Sequence, residues 1–335
     1  MRRRDFLQGS AGVAAVTAGD KTVPSVLGPI TADQCGMTLP HEHIAASEFN
    51  VARKQRDSVL CVWRMLGPQL RSNGIATLVD VTPPDSYRDI ELIQEVSRFS
   101  GLHILCATGY YLSARRPANF MLGGVEAAQV YMTRELTEGI GKTGVRAALM
   151  KIAVGNPGDP SDDILIEAAA RTQKATGAPI STHSTAPESR RHLLDVLEKH
   201  GADLSRVAIG HADCNATVEE AAQVISRAGF VIFTIWGITN PRLIGSRQPV
   251  AADHSARLVR GLLDRGFVDK LMFSIDFAPI CLRGDGIDLS NYEIPERTAN
   301  YVFTFVLPEL RKLGVSEDEI RRMMVANPRR HLFGA

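Results

Sequence analysis

Beyond Gly36 the chain alternates between two patterns of apolar positions. One is a short, nearly continuous run of aliphatic and β-branched residues. The other is a longer stretch with apolar residues at helical spacing. The runs are "MTLPHEHI", "IATLVDVT", "HILCATGYY", "ALMKIAVG", "PISTHS", "RVAIGHAD", "FVIFTI" and "LMFSID". Runs of that length and continuity suit parallel strands covered on both faces. Between them lie helical patterns such as "DIELIQEVSRFSG" from Asp89, "SDDILIEAAARTQKATG" from Ser161, "PESRRHLLDVLEKHG" from Pro187 and "TVEEAAQVISRAG" from Thr217. Each opens on a capping or first-turn residue and closes on glycine. Eight strand-then-helix units in about 300 residues predict an α/β protein folded as a single (β/α)8 TIM barrel. A doubly wound open sheet is the competing arrangement. It is disfavoured because no strand runs into a G-x-G-x-x-G turn. No internal repeat or Pro/Ser-rich linker divides the chain.

Composition narrows the picture slightly. Of 335 residues, 44% are hydrophobic and 22% charged, with a net charge of +1, so neither a nucleic-acid partner nor a polybasic membrane patch is expected. No apolar run approaches the roughly 20 residues of a membrane helix. The five cysteines are odd in number and lack C-x-x-C spacing, which argues against a disulfide framework or a zinc-thiolate site. The N-terminus differs in kind. "MRRRDFLQGSAGVAAVTAGD" has a basic start, a weakly apolar middle and small residues near Ala18, the layout of a signal peptide. "RRDFLQ" resembles the twin-arginine export signal. Residues 1–19 are read as that signal and 20–335 as the barrel, with export in the folded state to the periplasm or beyond.

The candidate chemistry lies where polar residues interrupt apolar strands. His41 and His43 end the first run, with Glu42 between them pointing to the opposite face. Lys151 interrupts the fourth run, His183 ends the fifth, His211 the sixth and Asp276 the eighth. A lone histidine at a strand end is commonly a satisfied structural residue, and an H-x-H triplet also fits an ordinary half-exposed strand. Here, however, five strands of one barrel bring six such residues to the C-terminal mouth, where barrel active sites sit. A lysine buried alone would cost several kcal/mol. The set therefore points to a shared metal centre, imidazole being a common metal ligand. His103, His192, His200, His254 and His331 fall at a strand start, on helices or near the terminus, and are read as structural or surface residues.

With "GMTLPHEHI", "ATLVDVTPPDSYRDIELIQEVSR", "CATGYY", "GVRAALMKIAVG", "PISTHS", "SRVAIGHAD", "SIDFAP" and "NPRRHLF" in this order, the chain from about Gly28 to Phe333 resembles the phosphotriesterase family of the amidohydrolase superfamily. The resemblance implies two divalent metals, commonly zinc. His41, His43 and Asp276 would hold the more buried ion and His183 and His211 the other. Lys151 would bridge them as its N-carboxylated form, carbon dioxide converting a buried cation into an anionic ligand. Such a pair can share a hydroxide and polarise an ester oxygen, with Asp276 as the catalytic proton acceptor. Asp213 would either orient a histidine or relay protons, or else cap the following helix. A homodimer is also implied.

The substrate class is less legible. Lactone-hydrolysing members commonly carry a tyrosine where Tyr110 and Tyr111 close the third run, and Tyr111 is the candidate for positioning a substrate carbonyl. Trp236 and Phe277 are candidate apolar walls, although ordinary loop packing accounts for them equally well. Where such members often have an Asp-Arg pair, this chain reads "FTIWGITN". The glycine-punctuated stretch "FAPICLRGDGIDLSNYEIP", with Cys281 and Arg283, is the expected substrate lid. The expected substrate is a small uncharged ester, either a lactone or a carboxylic ester, with phosphotriesters as a side activity. Amide hydrolysis on the same centre and a catalytically silent metal-containing binding protein are the alternatives.

Overall fold

In this computed structural model the described residues are 21–45, 56–155, 157–240, 249–279 and 296–334, together with the backbone of a small hairpin, Cys281–Arg283 and Gly286–Asp288. The expected export signal, and the side chains of Cys281 and Arg283, lie outside them. The described chain enters through an antiparallel hairpin of β1 (Thr22–Ser25) and β2 (Gly28–Thr31). Val26 N–H bonds the Ile104 carbonyl at 2.9 Å, so the hairpin is tied to the N-terminal end of a barrel strand.

The barrel strands follow in chain order, each parallel to the next. They are β3 (Met37–Glu42), β4 (Ile75–Asp80), β5 (His103–Tyr110), β6 (Leu149–Ala153), β7 (Ile180–His183), β8 (Val207–Gly210), β9 (Phe230–Phe233) and β10 (Leu271–Phe273). All eight predicted runs are these strands, and the fold is the (β/α)8 TIM barrel. The strands are buried along nearly their whole length, as two-sided cover requires. Along β6 the two faces separate cleanly. Leu149 packs with Val79, Leu105 and Ala107, whereas Met150 and Ile152 pack with the surrounding helices. By the two-residue period Lys151 shares the Leu149 face and turns into the barrel.

Among the described residues, seven α-helices connect the strands: α1 (Arg56–Ser72), α2 (Ile90–Ser100), α3 (Phe120–Thr137), α4 (Pro160–Thr176), α5 (Pro187–Lys199), α6 (Val218–Arg227) and α7 (His254–Leu263). Their ends follow local chemistry. Asp89 caps α2, Asp159 caps α4, and Thr217 with Glu220 forms a capping box on α6. Gly101 and Gly177 close α2 and α4 in the left-handed conformation that glycine adopts without strain. The C-terminal helices deviate from simple α geometry. Val302–Val306 and Arg322–Ala326 widen to π turns, each just ahead of a proline, Pro308 and Pro328. A proline has no N–H to return to the preceding turn, and the wider turn accommodates its ring.

The barrel closes between β10 and β3 without a ladder. Single backbone bonds around the C-terminal strand ends join them instead: Asp276 N–H to the His41 carbonyl at 3.2 Å, and His43 N–H to the Phe277 carbonyl at 2.9 Å. The closure therefore runs through the residues expected to carry the chemistry.

Candidate metal centre

The six side chains singled out in the sequence all come from C-terminal strand ends, except Lys151, which reaches up from the middle of β6. Lys151 Nζ lies 2.7 Å from His41 Nε2. Asp276 Oδ1 is 3.2 Å from His43 Nε2 and 3.7 Å from His41 Nε2. The rings of His41 and His211 have centroids 4.8 Å apart, and those of His183 and His211 4.3 Å apart. One donor atom each from His41, His211 and Asp276 falls within a 4.8 Å span. This trio draws on both ligand sets that the family resemblance implies.

The rings are oriented through their far nitrogens. Thr82 Oγ1 sits 2.7 Å from His43 Nδ1, and Thr234 Oγ1 2.7 Å from His211 Nδ1. In each case a hydroxyl on the far side leaves Nε2 facing the cluster, the arrangement seen behind metal-binding histidines. His211 Nε2 and His41 Nδ1 are buried and have no hydrogen-bond partner. A buried ring nitrogen without a partner is costly unless something else occupies its lone pair.

Electrostatics prepares the cluster in the same sense. Burial holds His41 and His183 well below the ordinary imidazole range and brings His211 down to about 3, so these rings stay neutral. Burial likewise lowers Lys151 to about 7, against the opposing pull of Asp276 and Asp80. For Asp276, burial pushes upward, but the hydrogen bond from His43 and the surrounding histidines outweigh it and keep the carboxyl well below its usual value. Neutral imidazoles around an ionised carboxylate are the protonation states that a borderline divalent cation selects. The donor set thus fits a metal centre.

Around this cluster, charged groups, all buried except the half-buried Asp85, lash neighbouring strand ends together. At β3–β4, Asp80 accepts from Ile44 N–H (3.0 Å) and Thr82 N–H (2.8 Å). At β4–β5, Asp85 accepts from Tyr111 N–H (2.8 Å). Arg116 bonds the Tyr111 and Ala153 carbonyls at β5–β6 and pairs with Asp162 at 2.6 Å. Arg190 joins β7 to β8 through the carbonyls of Ser184, His211 and Cys214. Asp213 reaches from β8 to the Thr234 and Ile235 amides after β9. Arg297 bonds the carbonyls of Thr234, Trp236 and Ile275 across β9–β10. At β10–β3, Glu42 accepts from Ile275 and Phe277 N–H, both at 2.7 Å, and from Ser274 Oγ at 2.6 Å. Backbone groups leaving a sheet lose their ladder partners, and these ions supply replacements.

Several expectations are corrected by the geometry. The Asp213 carboxylate bonds no histidine side chain, and the following helix is capped by Thr217. That carboxylate holds the Thr234 backbone and Ser255 Oγ, and so acts on His211 only through Thr234. Trp236 is fully buried, donates to the Phe233 carbonyl and packs edge-on against Phe273, so it is not a pocket wall. Phe277 is buried against Trp63. Tyr110 turns toward Phe120 and Tyr131, on the helix side of the sheet. Tyr111 is the member of the pair at the mouth, with its ring 5.1 Å from that of His183 and the Arg115 guanidinium 5.0 Å above it. His254 bonds the Asp213 carbonyl at 3.1 Å, and buried His331 bonds that of Ile180 at 3.2 Å, both in structural roles.

Sequence reading did not pick out Thr82, Thr234, Ser274, Arg190 and Arg297. The first three carried a usable signal, since each is a hydroxyl residue at the polar end of an apolar run. The arginines carried none, because distant carbonyls define their roles.

Comparison with known proteins agrees with this geometry. The phosphotriesterase family model matches residues 21–332. The chain is 30% identical to a phosphotriesterase homology protein of Mycobacterium tuberculosis, over 90% of this chain and 95% of that one. It is 26% identical to the aryldialkylphosphatase of Saccharolobus solfataricus, over 90% and 96%. A mutant organophosphorus hydrolase of Deinococcus radiodurans superposes with a TM-score of 0.82 at 29% identity, covering 93% of this chain and 97% of that one. With this fold and this His/Asp cluster, the chain belongs to the phosphotriesterase family.

Proposed function

We propose that the cluster holds two divalent metal ions, zinc being the first candidate for imidazole and carboxylate donors, and hydrolyses a small uncharged ester, a lactone or carboxylic ester in preference to a phosphotriester. The observation that carries this reading is the convergence of neutral, buried ring nitrogens, one without any partner, on the ionised Asp276. When bound, the two metals would supply an activated water and a Lewis-acid contact to the ester oxygen.

The chain's own residues do the rest. His41, His43, His183, His211, Lys151 and Asp276 are the ligands proposed. Lys151, lowered to about 7, has an appreciable uncharged fraction at neutral pH. Its free amine adds to carbon dioxide, giving a carbamate and releasing a proton. Asp276 and His43 are the members of the His41–His43–Asp276 group with side-chain exposure, 13% and 12%, so they face the mouth. Asp276 is therefore the proton acceptor in this reading. Tyr111, over His183, orients the substrate carbonyl.

The test is kcat/KM of metal-loaded protein on a γ-lactone, a simple carboxylic ester, an N-acyl amide and an aryl phosphotriester, with and without chelator. Lactone or ester turnover well above the others, abolished by chelation, supports the reading. Dominant amide turnover replaces it with amide hydrolysis. Two bound metals with no turnover on any of the four leave a binding protein.

Two further expectations remain part of this reading. Export by the twin-arginine route is supported by "RRDFLQ" at the N-terminus and is tested by fractionating cells after replacing both arginines with lysine. A homodimer is supported by the exposed Met121, Leu122 and Val130 on α3, apolar surface of the kind a second copy covers. Sedimentation equilibrium tests it.

A further inference from the structure

Four consecutive residues after β10 have every backbone amide assigned. Ser274 N–H bonds the Phe233 carbonyl and Asp276 N–H the His41 carbonyl, while Ile275 and Phe277 N–H both go to the Glu42 carboxylate. Asp276 therefore hangs between two amides gripped by one side chain. Its φ is +56°, a left-handed conformation that is strained for a residue with a Cβ. Released, the backbone would relax toward an ordinary conformation and swing the carboxylate away from the histidines. Glu42 itself sits between His41 and His43, and its third donor, Ser274 Oγ, accepts in turn from His41 N–H at 3.0 Å.

We propose that Glu42 is the positioning residue of the metal centre, its buried carboxylate fixing Asp276 against the His41–His43 pair and thereby setting metal affinity. The chemistry requires a carboxylate. Three donors converge on Glu42, and the two oxygens of a carboxylate satisfy all of them. A glutamine would offer one oxygen and turn an NH2 group toward a backbone N–H. An aspartate is one methylene too short to span the same gap. The inference rests on the metal-centre reading above. Failure of that reading would show separately, as wild-type protein that binds no metal.

The test is competition for zinc and cobalt(II) against a chromophoric chelator in bicarbonate buffer, with the visible spectrum of the cobalt form as a second readout. Glu42→Gln is expected to keep its far-UV circular dichroism, to bind metal about 10–100-fold more weakly and to show an altered cobalt spectrum. Asp162→Asn is the matched control. It also removes a buried strand-end carboxylate, one that bonds Arg116 and Gly155 N–H and flanks no proposed ligand. It is expected to lower thermal stability while leaving metal affinity and spectrum unchanged. Should Glu42→Gln fail to fold, Ser274→Ala decides, with a smaller loss of affinity expected in the same direction. Wild-type affinity and spectrum in a folded Glu42→Gln protein, or an equal loss in Asp162→Asn, would overturn the proposal.

Discussion

Thr234→Val isolates one atom of the centre. The two side chains have nearly the same shape, but valine lacks the hydroxyl that lies 2.7 Å from His211 Nδ1. Thr234 is fully buried, so no water takes its place. Two losses follow. The first is to stability: an unpartnered buried ring nitrogen costs about 1–3 kcal/mol, which for a domain of this size lowers Tm by roughly 2–6 °C. The second is to metal binding. The hydroxyl fixes the tautomer and rotation of the ring, and its loss is expected to weaken affinity about 10–100-fold, roughly 1.4–2.7 kcal/mol. The Thr234 backbone stays bonded to Asp213 in the variant, so the β8–β9 junction is unchanged. The assay is chelator competition beside a thermal melt. Thr234→Ser, which keeps Oγ, is expected to behave close to wild type in metal affinity. If serine and valine lose affinity equally, packing and not the hydroxyl controls His211, and the reasoning fails. If valine loses only stability, His211 is no ligand.

Other perturbations separate the remaining parts. Gly210→Ala would bring a Cβ to 2.9 Å from His41 Cε1 and hard against the Thr182 carbonyl, so His41 must move. Loss of metal binding in chelator competition is expected, and unchanged affinity would contradict the packing. Lys151→Ala should lose most activity, with partial recovery when bicarbonate and a short carboxylic acid are added to the assay. Full activity in that variant would remove the lysine from the centre. His331 is pushed down to about 4, chiefly by burial. Because its folded value lies below the unfolded one of about 6.5, the stabilisation from keeping it neutral is complete above pH 6.5 and is lost as pH falls toward 4. Between pH 7.5 and 4.5 the loss amounts to roughly 2–3 kcal/mol. Urea unfolding of His331→Gln should show an acid decline shallower by about that amount, and an identical decline would refute it.

The fold was legible because each strand announced itself twice. Apolar runs such as "ALMKIAVG" and "RVAIGHAD" have the length and continuity of two-sided cover, and the helices between them have chemical stops, Asp89 and Gly101 around α2 for instance. The pleat then decided which polar residues share the interior. Lys151 turns inward because Leu149 does, and His41 and His43 share a face two residues apart. What failed to read was anything set by bulk alone. Tyr110 and Tyr111 are adjacent aromatics at one strand end, but the pleat sends the first toward Phe120 and only the second toward His183. Trp236 looked like a wall because it follows a strand, yet its indole finds its hydrogen bond in the Phe233 carbonyl three residues back and turns under the loop.

The clamps were illegible for a deeper reason. Arg190, within the helical pattern "PESRRHLL", looks like one more polar position, and no local spacing tells it from Arg191 beside it. In the structure it is 2% exposed and bonds the carbonyls of three residues from two strand ends. One of them is His211, whose φ of +55° matches that of Asp276. Both proposed ligands with left-handed backbones have neighbouring peptide groups held by buried ions, Arg190 on one side and Glu42 with Arg297 on the other. Strain at a site persists only when its surroundings over-determine it. Guanidinium groups bond strand-end carbonyls and carboxylates bond strand-end amides, so the ligand backbones are fixed from beneath. The loops above the mouth are then free to vary without moving the centre. That division of labour explains why the metal-site motifs read so clearly in the sequence while the substrate did not: the two are specified by different layers of the same barrel.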